Sequence, residues 1–156
     1  MKNSRRFYVF VACLVITYLV AGLGSIFTSG GTQSDWYKEV KPSITPPNWV
    51  FPIVWNILFF LIALSLYFSW INVKNRVQKR EVVGVFAINF IFNILWSTFY
   101  FGMQNPLLAF VDILLLIISI FYMMRITYKI NNLASWLLLP YLLWVCFASI
   151  LNFLSI

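Results

Sequence analysis

Long apolar runs separated by short polar gaps set the pattern of this chain. Five runs, near 7–27, 49–71, 82–101, 106–126 and 133–154, are each about 20 residues long. A helix rising 1.5 Å per residue needs about that length to cross a hydrocarbon core of about 30 Å. The pattern predicts an all-α integral membrane protein, a bundle of five transmembrane helices forming one domain over residues 1–156. The first run has the layout of a secretory signal, with Lys2, Arg5 and Arg6 before it and small residues from Ala21 to Ser25 behind it. Its length exceeds the usual apolar core of such signals, so it reads as a retained span. The third run is the least hydrophobic, carrying Asn89, Asn93, Ser97 and Thr98. Polar residues inside a span face protein or a cavity, not lipid. The connection Gly102 to Asn105 is so short that spans 3 and 4 are expected to be antiparallel neighbours. No repeat and no separate soluble domain is evident, so function is expected to sit in the bundle.

The first gap differs from the others. From Trp36 to Trp55 it combines aromatics with Pro42, Pro46, Pro47 and Pro52. Each proline fixes φ and biases the preceding residue away from the helical region, so a structured loop is expected between helices 1 and 2. Thr45 before Pro46 and Pro47 reads as a helix start, its hydroxyl capping free N–H groups.

Composition and charge sharpen this picture. Of 156 residues 62% are hydrophobic, against about 45–50% in soluble domains. Eleven basic and four acidic residues give a net charge of +7. The basic residues fall in the gaps and not on one face, so they are topology signals and no nucleic-acid partner is expected. Nine (Lys2, Arg5, Arg6, Lys74, Arg76, Lys79, Arg80, Arg125, Lys129) lie on one side and two, Lys38 and Lys41, on the other. The positive-inside rule then places the N-terminus in the cytoplasm, and the C-terminus and the first loop outside. Cys13 and Cys146 both lie inside spans, so no disulfide framework is expected, and the absence of His removes the commonest metal and haem ligand. No metal site is predicted.

Counting along the spans gives depth. Trp55, Asn93, Phe99, Asp112, Trp144 and Ala148 all fall in the outer half of the bundle, beneath the Trp36–Pro47 loop; Trp55 is roughly 9 Å down. A cavity there would be lined by flat aromatics with a few polar groups, suited to a large, planar, mostly apolar ligand, with the loop as its lid. The alternative is that these residues only pack the helices together. Asp112 costs about 2.5–3.5 kcal/mol to insert unless it is neutral or partnered, so either a neighbouring side chain or a ligand contact is expected. Tyr8, Trp49, Trp70 and Tyr128, near span ends, read as interfacial belt, and Cys146 as small apolar packing. There is no paired carboxylate and no activated Ser or Cys arrangement, so no conventional catalytic site is expected.

The loop residues Trp36-Tyr37, Lys41-Pro42-Ser43, Thr45-Pro46-Pro47, Val50-Phe51 and Val54-Trp55, at this spacing, resemble the signature of the TspO family of tryptophan-rich sensory proteins, whose animal members are the mitochondrial translocator proteins or peripheral benzodiazepine receptors. The run from Leu139 to Asn152 resembles the last helix of that family. The resemblance implies a five-helix bundle, often a homodimer, whose outer-leaflet pocket takes protoporphyrin IX or haem, benzodiazepine-site compounds and, in some members, cholesterol. Position by position the family's pocket falls on Tyr37, Pro46, Pro47, Trp55, Asn93, Phe99, Trp144 and Ala148. Trp55 and Trp144 match the tryptophans implicated in light-dependent porphyrin breakdown by bacterial members, which needs light, oxygen and an oxidisable indole but no added cofactor.

Two departures stand out. Ile44 replaces the aromatic usual before the Thr-Pro-Pro triplet, and the chain ends at Ile156 without the Leu–Tyr–Arg cholesterol motif of animal members. A bacterial cell-membrane protein that binds tetrapyrroles is therefore expected, with a transporter of porphyrin or sterol-like lipid, or a small structural membrane protein, as the alternatives. Five spans without a repeat argue against a transporter. No GxxxG occurs; Ala21 to Ser25 and Gly84 are weak small-residue packing signals for self-association.

Overall fold

A computed structural model describes residues 2–156, with side chains from Ser4 onward. Backbone N–H and C=O groups find no water in hydrocarbon, so each span satisfies them within itself as a helix. The elements are α1 (Lys2–Gly31), α2 (Asp35–Val40), α3 (Val50–Asn72), α4 (Arg76–Ser97), a π-helical turn (Thr98–Gly102), α5 (Pro106–Tyr128), α6 (Asn132–Trp136) and α7 (Leu139–Phe153). Five stretches are long and apolar enough to cross a membrane; α4 with the π turn makes the third and α6 with α7 the fifth. Helix α5 is the core of the bundle, packed on α4, α6 and α7, while α1 packs on α3 and α4.

Three local features differ from a plain reading of the runs. Helix α1 continues past residue 27 to Gly31, because Thr28 donates to the Gly24 carbonyl (3.1 Å) and so keeps its own hydroxyl satisfied inside the helix. The third span ends in the π turn, where Met103 N–H reaches back to Thr98 O at 2.8 Å. Gln104, at φ 51°, then turns the chain into the Asn105 cap of α5, whose side chain accepts from Leu108 N–H at 3.0 Å. The fifth span breaks between α6 and α7, because Pro140 in the first turn of α7 has no N–H and its ring excludes a continuous helix. Ser65 on α3 donates to the Ala134 carbonyl at 2.6 Å, satisfying a group the break leaves open.

The Thr45 cap is corrected. Helix α3 starts at Val50, and its cap residue Trp49 makes no side-chain cap bond. The chain instead takes two turns, Thr45 N–H to Pro42 O (3.0 Å) and Val50 N–H to Pro47 O (2.9 Å). The Thr45 hydroxyl is left buried and unpaired. Asn48 donates to the Thr32 carbonyl at 3.3 Å, which fastens this loop to the end of α1.

The end of α1 lies against the π turn at two glycines. A Cβ on Gly31 would sit 2.5 Å from Phe101 Cδ1, and one on Gly102 would sit 2.9 Å from Phe27 Cδ1. Gly31→Ala should therefore cost about 1–3 kcal/mol by overpacking and lower the melting temperature in detergent. Gly30→Ala, with nothing within 4 Å of its added methyl, should not. Equal melting temperatures for the two variants would show that α1 does not pack this tightly on the π turn.

Candidate functional site: an aromatic cavity under the first loop

A cavity of about 740 Å³ lies between α1, α3, α4, the π turn and α7, roofed by the loop that contains α2. It exists because the helices diverge there. Helix α3 packs on α6 toward the other membrane face and touches α7 only sparsely, so aromatic side chains and empty space fill the gap.

Helix α2 is positioned by Ser34, whose hydroxyl donates to Gly31 O (2.7 Å) and accepts from Tyr37 N–H (3.1 Å). This swings Tyr37 inward, where it is buried against Phe101 (ring centroids 5.6 Å) and Tyr100 (6.5 Å). The Lys41 ammonium stands 6.0 Å from the Tyr37 ring centroid, on the loop but not among the residues that line the cavity. From α3 come Phe51 and Trp55, and from α7 Trp144, which meets Phe51 edge-on at 5.8 Å. Trp55 packs on Phe59 (5.4 Å) and on the ring of Tyr141 (6.2 Å).

The floor is polar and comes from α4 and α7. Asn93 donates to the Tyr141 hydroxyl at 3.1 Å, and Trp96 donates its indole N–H to Asn152 Oδ1 at 3.0 Å. Asn152 in turn donates to Pro106 O at 2.8 Å, so both polar ends of that amide are used. Tyr100 stacks on Trp96 (5.4 Å, 18°) and shares a 2.8 Å hydrogen bond with Ser155. Two polar groups on lining residues stay without partners: the Trp144 indole N–H and the Thr45 hydroxyl, both buried. Buried groups of this kind normally find a partner; both atoms are closed off from the cavity itself, although other atoms of the two residues line it. Among the described residues, no lining residue carries a charge, and none is His, Cys or Met.

Of the eight site residues expected from sequence, Tyr37, Trp55, Asn93, Trp144 and Ala148 line the cavity. Pro46, Pro47 and Phe99 do not. The two prolines shape the turn beside Thr45 instead. Phe99 lies six residues beyond Asn93, roughly 120° around an α-helix from it at about 100° per residue, and packs outside the cavity against the Tyr37, Tyr100 and Phe101 cluster. Asp112 is buried on α5, which contributes nothing to the lining, and its Oδ2 has no partner. Cys146 does not line the cavity either, whereas Trp49, read as interfacial belt, does. Sequence reading missed Trp96, Tyr100 and Phe101, although with Ser97, expected to face protein or a cavity, they repeat from Asn93 at the three- and four-residue steps of one helix face.

Burial, and secondarily the nearby Tyr100, pushes the Tyr37 phenol up from 10.0 to about 12. The folded protein thus holds this proton more tightly than the unfolded chain, so the stability it confers is complete below pH 10 and lost as pH rises toward 12. Tyr37→Phe should make the fall in melting temperature over that window shallower, with no change at neutral pH in its pH dependence. An alkaline profile identical to that of the parent would show that Tyr37 is not buried under the loop.

The TspO/MBR family model matches residues 11–155. The chain is 42% identical over 144 residues to the tryptophan-rich protein TspO of Archaeoglobus fulgidus, covering 92% of each chain. It is 30% identical over 143 residues to the tryptophan-rich sensory protein of Cereibacter sphaeroides, covering 90% of this chain and 87% of the relative. It is also 32% identical over 133 residues to the human translocator protein, covering 84% of this chain and 78% of the relative. With a five-span helical bundle, an aromatic loop roofing a cavity and a family match over nearly its whole length, this chain belongs to the TspO/MBR family.

Proposed function

We propose that the cavity binds a flat, largely apolar tetrapyrrole such as protoporphyrin IX, and that the protein acts as a membrane receptor or sensor for it. The observation that carries this reading is the pair Trp55 and Trp144, one on each of two diverging helices, both lining a space of about 740 Å³. That volume lies within the range of about 300–1,000 Å³ typical of small-molecule sites. Indole faces favour a planar π-system, and each such contact contributes about 0.5–1.5 kcal/mol beyond area burial. With an uncharged lining, the carboxylates of a porphyrin belong at the roof, where Lys41 stands beside Tyr37. Haem would be gripped by its ring in the same way; of the residue types that ligate haem iron, the described lining offers only tyrosine, at Tyr18, Tyr37 and Tyr100.

A second reading is favoured by the same two indoles: light-dependent breakdown of the bound porphyrin, with oxygen as oxidant and tryptophan as electron partner. Detergent-purified protein titrated with protoporphyrin IX in the dark should show saturable tryptophan quenching. Trp55→Ala and Trp144→Ala should each weaken it roughly 3–10-fold, the equivalent of one aromatic contact. Trp55→Phe and Trp144→Phe should keep binding yet slow the loss of the porphyrin band under light and oxygen. Absence of saturable quenching in the parent protein rules out tetrapyrroles; saturable quenching with unchanged bleaching in the Phe variants rules out only the photochemistry.

We further propose that the end bearing Arg76 and Lys129 is cytoplasmic and the α2 loop outside, from the distribution of basic residues alone. Ser43→Cys, in the exposed loop, should react with an impermeant maleimide added to intact cells, and Lys74→Cys should react only after lysis. The reverse pattern would invert the topology.

A further inference from the structure

The second cavity of the bundle lies at the opposite end, and the candidate ligand site makes no use of it. It measures about 350 Å³ and lies in the angle between the last turn of α5 and the short helix α6, lined by Met124, Arg125, Tyr128, Lys129, Ser135 and Trp136. The break at Pro140 creates it: α6 ends at Trp136, before α7 begins, and this leaves a notch beside α5 where a continuous helix would have lain.

Its position in the membrane is set by α5. Val111, Leu114, Ile118, Phe121 and Tyr122 are all exposed and recur at three- and four-residue steps, forming one apolar stripe facing lipid. Two further steps of the same stripe reach Arg125 and Lys129. From Leu114 to Arg125 is eleven residues, about 16 Å of helix, close to the half-thickness of a core of about 30 Å. The part of the stripe from Leu114 onward therefore runs about the depth of one leaflet and ends in two cations at its headgroup level. Tyr128 and Trp136, exposed at 53% and 58%, flank the same notch, where amphipathic rings favour the interface.

The charge at the notch is uncompensated. Among the described residues the only ion pair is Lys38 with Asp35, in the loop at the other end of the bundle. Ser135 already donates its hydroxyl to the Met124 carbonyl at 2.9 Å, so it has no proton to offer an anion. The charged donors are the guanidinium of Arg125 and the ammonium of Lys129, one helical turn apart, with the Tyr128 hydroxyl and the Trp136 indole N–H as neutral donors beside them and Met124 and the Trp136 ring as the apolar wall. A soluble anion would use only the polar half of this notch, whereas a molecule with a phosphate and an acyl chain finds both halves of its chemistry matched.

We infer that this notch is a binding site for one anionic glycerophospholipid, its phosphodiester on Arg125 and Lys129 and one acyl chain along the α5 stripe. Native mass spectrometry of the detergent-solubilised protein, titrated with phosphatidylglycerol and with phosphatidylcholine of the same chains, tests it. The parent should retain the first phosphatidylglycerol at least about fivefold better than phosphatidylcholine. Arg125→Gln with Lys129→Gln should abolish that preference, while Lys74→Gln with Arg76→Gln, cations of the same membrane end but outside the notch, should leave it intact. In vesicles of the unmodified bundle, brominated phosphatidylglycerol should quench Trp136 more strongly than brominated phosphatidylcholine, read as the difference between the parent and Trp136→Phe. Equal retention of the two lipids overturns the site, as does equal loss in the two charge variants or equal quenching. Displacement of the lipid by an equal concentration of glycerophosphate overturns the acyl part and returns the notch to a simple phosphate contact.

Discussion

A hydroxyl inside a hydrocarbon slab must find its partners within the protein, and the Tyr141 hydroxyl finds two. It donates to Asn89 at 3.2 Å and accepts from Asn93 at 3.1 Å, and Asn89 passes the chain on to Ser119 at 2.9 Å. Tyr141 itself is fully buried. One side chain thus joins α4, α5 and α7, and does so with geometry that no apolar contact would impose. Leaving any of these groups unpaired in a low-dielectric interior would cost several times what the bond contributes, so the network fixes one arrangement of the three helices. The cavity lies on the other side of the same ring, against Trp55, and Asn93 belongs to both. The rigid polar core and the open aromatic space are two faces of one construction.

The remaining walls are built from weaker material. Among its described residues, helix α1 buries only Cys13, Thr17, Val20 and Gly24, one position per turn on a narrow seam. Such a helix covers the cavity without filling it. What keeps its far end in place is close approach, Gly31 against Phe101 and Gly102 against Phe27, together with the Asn48 bond to Thr32 that ties the loop to it. A firm polar network in α4, α5 and α7 thus stands beside the cavity, with α1 and α3, packed on each other, as its looser wall.

Much of this was legible in the residues. Run lengths gave the five spans, the short Gly102–Asn105 connection gave α4 beside α5, and the polar content of the third span correctly pointed Asn89 and Asn93 into protein. The loop was recognised as built, but α2 is only six residues long and shows no periodicity to read; it is made by Ser34 and the burial of Tyr37. Thr45 looked like a cap because hydroxyl and prolines stand in the right order, yet two consecutive turns displaced the helix start to Val50. Phe99 failed for a different reason. Its depth was right, but the direction in which it points follows from the helix face carrying Asn93, and the π turn then hands the cavity to Tyr100 and Phe101.

Asp112 makes the general point about depth and direction. Counting from the end of its span places it at the level of Trp55 and Trp144, and it is buried as a carboxyl in a membrane should be. Direction then separates it from them. Its helix, α5, is walled off from the cavity by α4 and α7 and supplies none of the lining. The polar character of the cavity therefore rests on amides and hydroxyls, Asn93, Asn152 and Thr45 among them, and on indole N–H groups, none of which carries charge. Residues at one level in a bundle share a site only when their helices also turn the same faces toward it, and it is the Tyr141 network that decides those faces here.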